Sequence, residues 1–330
     1  MKRTTQYRET TNLLVKDTTK TMDATFKAKD GHKTFNILGI FALVIIFAVT
    51  TVFNALAGSL GGKIALFNNS VGNLSDRYET WITPAGWTFS IWSLIYAWLA
   101  IMLAFYILSI CISNSFGKLY LNPEIVSRCY VVVFAINLLC NLAWIFIWDK
   151  EELIAASALL FAIAITNIFV LALLVRNIAA DDNWLKGGMP KTYWTYIVLS
   201  ANSHATYTTW TIVASFLNLY IALFYVGEVE ELTCAYISLG SLTGILIIWF
   251  MLENFVFDKY VRYIITPYLV VIWAFSGVLS ANDQDESIPY EIRAFSRGIL
   301  GVAIGLFLLR LGSIFYRQKK SPLVGAFEFA

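Results

Sequence analysis

The chain has 330 residues, of which 58% are apolar, 16% aromatic and only 14% charged, and so much hydrophobic surface exceeds what a soluble core buries. An ordinary soluble fold is therefore excluded. The net charge of +2 comes from lysines and arginines that do not gather on one soluble domain and so points to no nucleic-acid partner, and the long uninterrupted apolar runs exclude an outer-membrane barrel, whose strands would alternate with period two.

Residues 1–34 are polar, rich in Thr and Lys and interrupted by Glu9, Asp17, Asp23 and Asp30, which predicts a cytoplasmic tail rather than a packed element. A cleavable signal is not expected, because the first apolar run begins near Phe35 and is long enough to remain as an anchor. The tail's acids and scarcity of arginine argue against a mitochondrial transit peptide. Eight apolar runs of about the length that crosses a 30 Å hydrocarbon core follow, at about 36–57, 88–111, 126–148, 152–176, 199–222, 232–253, 262–281 and 294–316. They predict an all-α polytopic membrane bundle. The amino tail, the 112–128 and 176–198 connections, the 254–262 turn and the carboxyl end carry 19 of the 24 basic residues; the opposite loops carry Lys63, Arg77, Lys150, Arg293 and Arg297. The positive-inside rule then places both termini in the cytoplasm, in a plasma or internal membrane.

The 58–87 loop, expected outside, contains two glycosylation sequons, at Asn68 and Asn73, and then an aromatic stretch with Trp81, Pro84 and Trp87. Helix two continues it with Trp92, Tyr96, Leu99, Leu103 and Tyr106 on one face. On helix three, Asn137, Asn141, Trp144 and Trp148 fall within roughly 60° of one another at 100° per residue. On helix five, His204, Tyr207, Thr208, Thr211, Ser215 and Asn218 form a polar seam about 100° wide. Polar groups in hydrocarbon face the bundle or a cavity, so these stripes mark inward faces; interhelical hydrogen bonding competes with a lined cavity as their purpose. His204 has no second histidine or paired carboxylate at ligand spacing, since the other histidine is His32 in the tail, and is expected to be a satisfied hydrogen-bonding group rather than a metal ligand. Cys111, Cys129, Cys140 and Cys234 have neither a disulfide nor a zinc pattern. The rows Gly240/Gly244 and Gly298/Gly301/Gly305/Gly312 predict close backbone packing, within the chain or in a homodimer. Pro267 predicts a kink, and Glu253 and Arg310 are expected to snorkel to the cytoplasmic surface.

Two segments resemble the TspO/translocator family of tryptophan-rich sensory proteins: Trp81-Ile-Thr-Pro-Ala-Gly-Trp-Thr-Phe-Ser-Ile-Trp-Ser-Leu-Ile-Tyr96 and Tyr207-x-x-Trp210-x-x-x-Ala214-x-x-Leu217-Asn218. Asn141-x-x-Trp144 matches that family's third helix. The departures are Ser90-Ile91 in place of Gly-Pro, a Trp87–Trp92 spacing one residue shorter, and Thr206 in place of a proline before Tyr207. The resemblance covers about 35–226 and implies a five-helix bundle there, followed by three further helices over 227–316 and a cytoplasmic tail at 317–330.

What the resemblance implies is a cavity closed by the first loop, taking porphyrins or haem, or sterols as in animal members. Trp81, Trp87, Trp92 and Tyr96 are then expected to stack on the ligand, with Pro84, Trp144 and Trp210 beside them and Asn137, Asn141, Tyr207 and Asn218 orienting its polar edge. The expected partners are such a hydrophobic molecule and membrane lipid, with no cofactor. A secondary transporter and an intramembrane enzyme are the competing readings. No inverted repeat or mid-membrane acid supports the former, and no histidine–carboxylate cluster or activated nucleophile supports the latter. A heptahelical receptor would need an exterior amino terminus, against the eight basic residues of the tail.

Overall fold

The computed structural model describes residues 33–59, 61–63, 66–114, 117–180 and 189–323. Residues 1–32, which hold most of the expected amino tail with His32, and 324–330, in the expected carboxyl tail, lie outside the described residues. In chain order, α1 (Thr34–Ser59) is followed by the short α2 (Val71–Arg77), a 3-10 turn (Gly86–Ser90) and α3 (Ile91–Cys111). A two-residue ladder, β1 (Ser113–Asn114) with β2 (Gly117–Lys118), precedes α4 (Arg128–Asp149) and α5 (Leu153–Ala180). Then come α6 (Pro190–Thr195), a π segment (Tyr196–Ala201) and α7 (Asn202–Tyr225), continuous as one long apolar helix. The last elements are α8 (Glu231–Phe255), the single turn α9 (Asp258–Val261), α10 (Thr266–Asn282) and α11 (Tyr290–Lys320).

In hydrocarbon, every backbone polar group must be bonded within its own segment, so apolar runs of this length have no alternative to the helix. Five of them close a ring in the order α1, α4, α5, α7, α3, each packing on the next. Gly39 brings α1 and α4 close, since a Cβ there would lie 3.0 Å from Val131 Cγ1. The remaining three spans attach to one side of the ring: α8 and α10 both pack on α7, and α11 packs on both of them. Thus α7 is a wall shared by the ring and the added helices, which is why fifteen of its residues are buried.

Four expectations change. Among the described residues, seven helices are long and apolar enough to cross a membrane, while the span expected at 262–281 is the 17-residue α10. Pro267 starts that helix rather than kinking it: a missing N–H costs nothing in the first turn, and Asn202 organises the approach by accepting from Ile265 N at 3.1 Å and donating to Tyr263 O at 3.0 Å. Glu253 and Arg310 do not snorkel; both are fully buried and face each other, Arg310 Nε lying 3.4 Å from Glu253 Oε1. Arg310 also donates to Asn254 Oδ1 at 2.9 Å and to the Val261 and Arg262 carbonyls at 3.0 and 3.1 Å, while the Tyr268 hydroxyl donates to Glu253. A guanidinium with five donors satisfies carbonyls left open where α8 and α9 end, and so fastens α11 to them. Finally, a Cβ on Gly240, Gly244, Gly298, Gly301, Gly305 or Gly312 would meet nothing within 4 Å. These glycines do not serve packing within the chain; their rows face outward.

Candidate ligand-binding site

At the end of the ring where α4 and α7 finish, an enclosed space of about 60 Å³ is lined by Pro84, Phe89, Trp92, Trp144, Trp148, Trp210 and Asn218, with α2 and Ile82 above and Ala274, Phe275 and Val278 of α10 at one side. Trp144 and Trp148 are i and i+4 on α4, so their rings stack at 6.0 Å. Trp92 stands edge-on to Trp210 at 6.2 Å. The indole Nε1 atoms of Trp144, Trp148 and Trp210 and the Oδ1 of Asn218 are buried without a hydrogen-bond partner. These four unpaired polar atoms belong to residues that line one apolar space, and an unmade hydrogen bond to a buried polar group costs about 1–3 kcal/mol.

The rest of the polar seam is also occupied: Thr208 and Ser215 donate to His204 O and Thr211 O one turn back in α7, and the other groups bond from helix to helix. Asn141 is a hub: its Oδ1 accepts from Asn54 Nδ2 at 2.9 Å and from the Tyr96 hydroxyl at 3.3 Å, and its Nδ2 donates to the Tyr207 hydroxyl at 3.0 Å, joining α1, α3, α4 and α7. Asn137 donates to Ile163 O and Thr166 Oγ1, both at 2.9 Å, and Asn167 donates to Thr211 Oγ1 at 3.2 Å. At the opposite end of the ring His204 Nε2 lies 2.6 Å from the Tyr130 hydroxyl, within a chain that continues through Tyr106 to Ser200. Among the described residues, no group of three or more His, Cys, Asp or Glu side chains could hold a metal ion.

Residues 80–90 roof the cavity and are held by α10. Ala85 N donates to Gly277 O at 3.0 Å, Asn282 Nδ2 to Thr83 O at 2.8 Å, and Trp273 Nε1 to Thr88 O at 2.9 Å. Trp87, 45% exposed, packs edge-on against Trp273 at 4.8 Å and so turns away from the cavity. Gly277 permits the approach: a Cβ there would lie 1.9 Å from Thr88 Oγ1. On the same side of the bundle, Asn69 N and Asn68 Nδ2 donate to Asp149 at 2.9 and 3.1 Å, and Arg77 Nη1 and the Tyr78 hydroxyl each reach Glu151 at 2.5 Å. The Tyr78 hydrogen bond first, and Arg77 next, hold the Glu151 carboxyl below its ordinary value.

A family model described as TSPO-like protein matches residues 37–311. The chain belongs to the TSPO-like family. No curated protein and no solved structure matches it. The family match runs past 226 to 311, so α8, α10 and most of α11 lie within the family's pattern.

Of the residues expected from the sequence to contact ligand, Pro84, Trp92, Trp144, Trp210 and Asn218 share the enclosed space. Tyr96, Asn141 and Tyr207 form the hub beneath it, Asn137 is bound to α5, Trp81 is half-buried against the core, and Trp87 lies on α10. Sequence reasoning missed Asn54, whose signal was an amide four residues after Thr50 in a largely apolar span. It also missed Phe275 and Val278, which carry no signal because nothing in an apolar run says which neighbour it will meet.

Proposed function

We propose that this integral membrane protein binds a flat apolar small molecule of the tetrapyrrole or sterol class in the aromatic cavity, without a cofactor and without chemical conversion. The observation that carries the reading is that Trp144, Trp148, Trp210 and Asn218, which line the aromatic cavity, each keep a buried polar atom without a partner. Three donors against one acceptor suit a ligand edge rich in acceptors, which favours a tetrapyrrole with carboxylates over a sterol with a single hydroxyl. Pockets for drug-sized ligands hold about 300–1,000 Å³. A space of about 60 Å³ is therefore a closed form, and admission requires residues 80–90 to lift from α10. In this reading the ring, within 35–226, holds the ligand and the helices of 227–316 hold its cover.

Both termini are proposed to be cytoplasmic, supported by the distribution of basic residues, with the cavity opening toward the glycosylation sequons. Ion-coupled transport needs an intramembrane acid that can change partners, and Glu253 is instead bound by Arg310 and Tyr268. The test is a screen of purified protein for saturable quenching of tryptophan fluorescence by porphyrins, haem and sterols. Saturable quenching by a carboxylate-bearing porphyrin supports the reading, and quenching by none of the three classes ends it.

A further inference from the structure

A second and larger chamber, of about 680 Å³, lies between the ring and the added helices and adjoins the aromatic cavity, from which Val213, Leu242 and Phe275 divide it. Its walls come from Leu171 and Val175 of α5, Ala205 of α7, Leu246 and Trp249 of α8, and Val271 of α10. Ile168 and Ile248, which also line it, are about half exposed, so the chamber opens sideways to the surrounding membrane. Its chemistry is the opposite of the first cavity's. The Thr208 and Thr209 hydroxyls already donate to His204 O and Ala205 O at 2.6 and 2.8 Å, so they demand nothing of an occupant. Among the described residues, the one charged side chain on the wall is Arg176, at the end formed by Phe257, Tyr260 and Val261. Among the described residues no acid lies within ion-pair distance of Arg176, while Asp258, the nearby carboxylate on α9, is engaged by Arg262 and Arg317. Lys259 adds a second cation at this mouth, its Nζ 4.6 Å above the Tyr260 ring.

We propose that this chamber is a second binding site, taking a single-chain fatty carboxylate from the membrane, with its head at Arg176 and its chain between α5, α7 and α8. Charge fixes the head: a cationic mouth on an apolar chamber fits an anion, and the planar fork of arginine matches a carboxylate. Volume fixes the tail. At roughly 30 Å³ for each water-sized group, a space of about 680 Å³ holds about twenty such groups, the size of one long acyl chain with its head, so a second chain would have to lie outside in the membrane. Because lipid tails are as apolar as the lining, the chain alone gains little over the bilayer. Selectivity over other single-chain lipids therefore rests on Arg176.

The test uses the full chain in phosphatidylcholine nanodiscs, with Trp249 in the chamber wall as reporter. Three brominated quenchers are titrated: a mid-chain dibrominated stearate, the corresponding alcohol, and a brominated phosphatidylglycerol. The stearate is expected to quench saturably and about tenfold more tightly than the alcohol, with Arg176→Gln erasing that difference. The saturable component should disappear in Trp249→Phe, which removes the reporter, and in Ala172→Phe, which fills the chamber from its exposed α5 wall. Equal affinity for acid and alcohol overturns the assignment of the head group. Stronger saturable quenching by phosphatidylglycerol overturns the single-chain assignment. Unchanged quenching in folded Ala172→Phe means simple partitioning into lipid and overturns the site.

Discussion

Replacing Gly277 by alanine drives a methyl group into the contact that holds the cavity's cover. The new Cβ would stand 1.9 Å from Thr88 Oγ1, 2.8 Å from Cγ2 and 2.9 Å from Cβ, where ordinary contact is 3.4–4 Å. Rotating the Thr88 side chain moves Oγ1 and Cγ2 together but leaves its Cβ at 2.9 Å. The threonine is fully buried and its carbonyl is bonded to Trp273, so residues 80–90 must shift as a segment. Overpacking of this kind costs about 1–3 kcal/mol. The cost falls on the closed form, because in an open form the segment has left α10. The opening equilibrium should therefore move by about five- to 150-fold. Amide hydrogen exchange reads this directly: the Ala85 and Thr88 amides, bonded to Gly277 O and Ala85 O, should exchange faster by that factor, while amides in the middle of α4 keep their protection. Unchanged exchange at Ala85 and Thr88 in folded Gly277→Ala protein would refute the idea that α10 holds the cover.

Asn141→Ala should lower thermal stability by about 1–3 kcal/mol, because it leaves Asn54 and Tyr207 without their shared partner; a wild-type melting temperature in detergent would show that the hub is dispensable. In a eukaryotic host Asn73, exposed on α2, should carry glycan in preference to Asn68, whose amide is held by Asp149; Asn73→Gln should remove the glycosidase-sensitive mobility shift and Asn68→Gln should leave it. The carboxyl of Glu151 is held below its ordinary value of 4.5, so its stabilisation is complete above that value and is lost as pH falls through the folded-state value. Proteolysis of the 66–79 segment should accordingly rise on acidification, by no more than the ~1 kcal/mol expected of a partly exposed pair, and Glu151→Gln should flatten the profile.

The ring was legible because its signals are local. Apolar run length gave the spans, and the i, i+4 stripe of Trp144 and Trp148 pointed to the face they occupy in the cavity. Much of the seam on α7 pointed inward for a different reason, to make interhelical bonds; an amide facing a cavity and one facing a neighbouring carbonyl leave the same periodicity in the sequence. Asn218 and Asn137 illustrate the pair, one unpaired in the aromatic space and the other bound to Ile163 O. Trp87 was expected in the cavity because the family resemblance implied it. It lies outside because α10, almost 190 residues later, offers Trp273 and the small Gly277 as a seat. Arg310 could not be placed from its distance to a helix end alone, since its burial depends on the turn between α8 and α10 exposing carbonyls to it. The outward-facing glycines have no periodicity that separates packing inside the chain from packing against lipid or a second copy.

The central claim is that the unpaired indole groups of the aromatic cavity bind the edge of a planar ligand. Titrating a dicarboxylate porphyrin into wild-type protein and into the Trp144→Phe/Trp210→Phe double variant tests it most directly, because phenylalanine keeps much of the aromatic wall and deletes two of the unpaired donors. Folding should be unchanged and the affinity lower by at least about tenfold, the loss expected for hydrogen bonds to a charged acceptor. Equal porphyrin affinity in the folded double variant would contradict it.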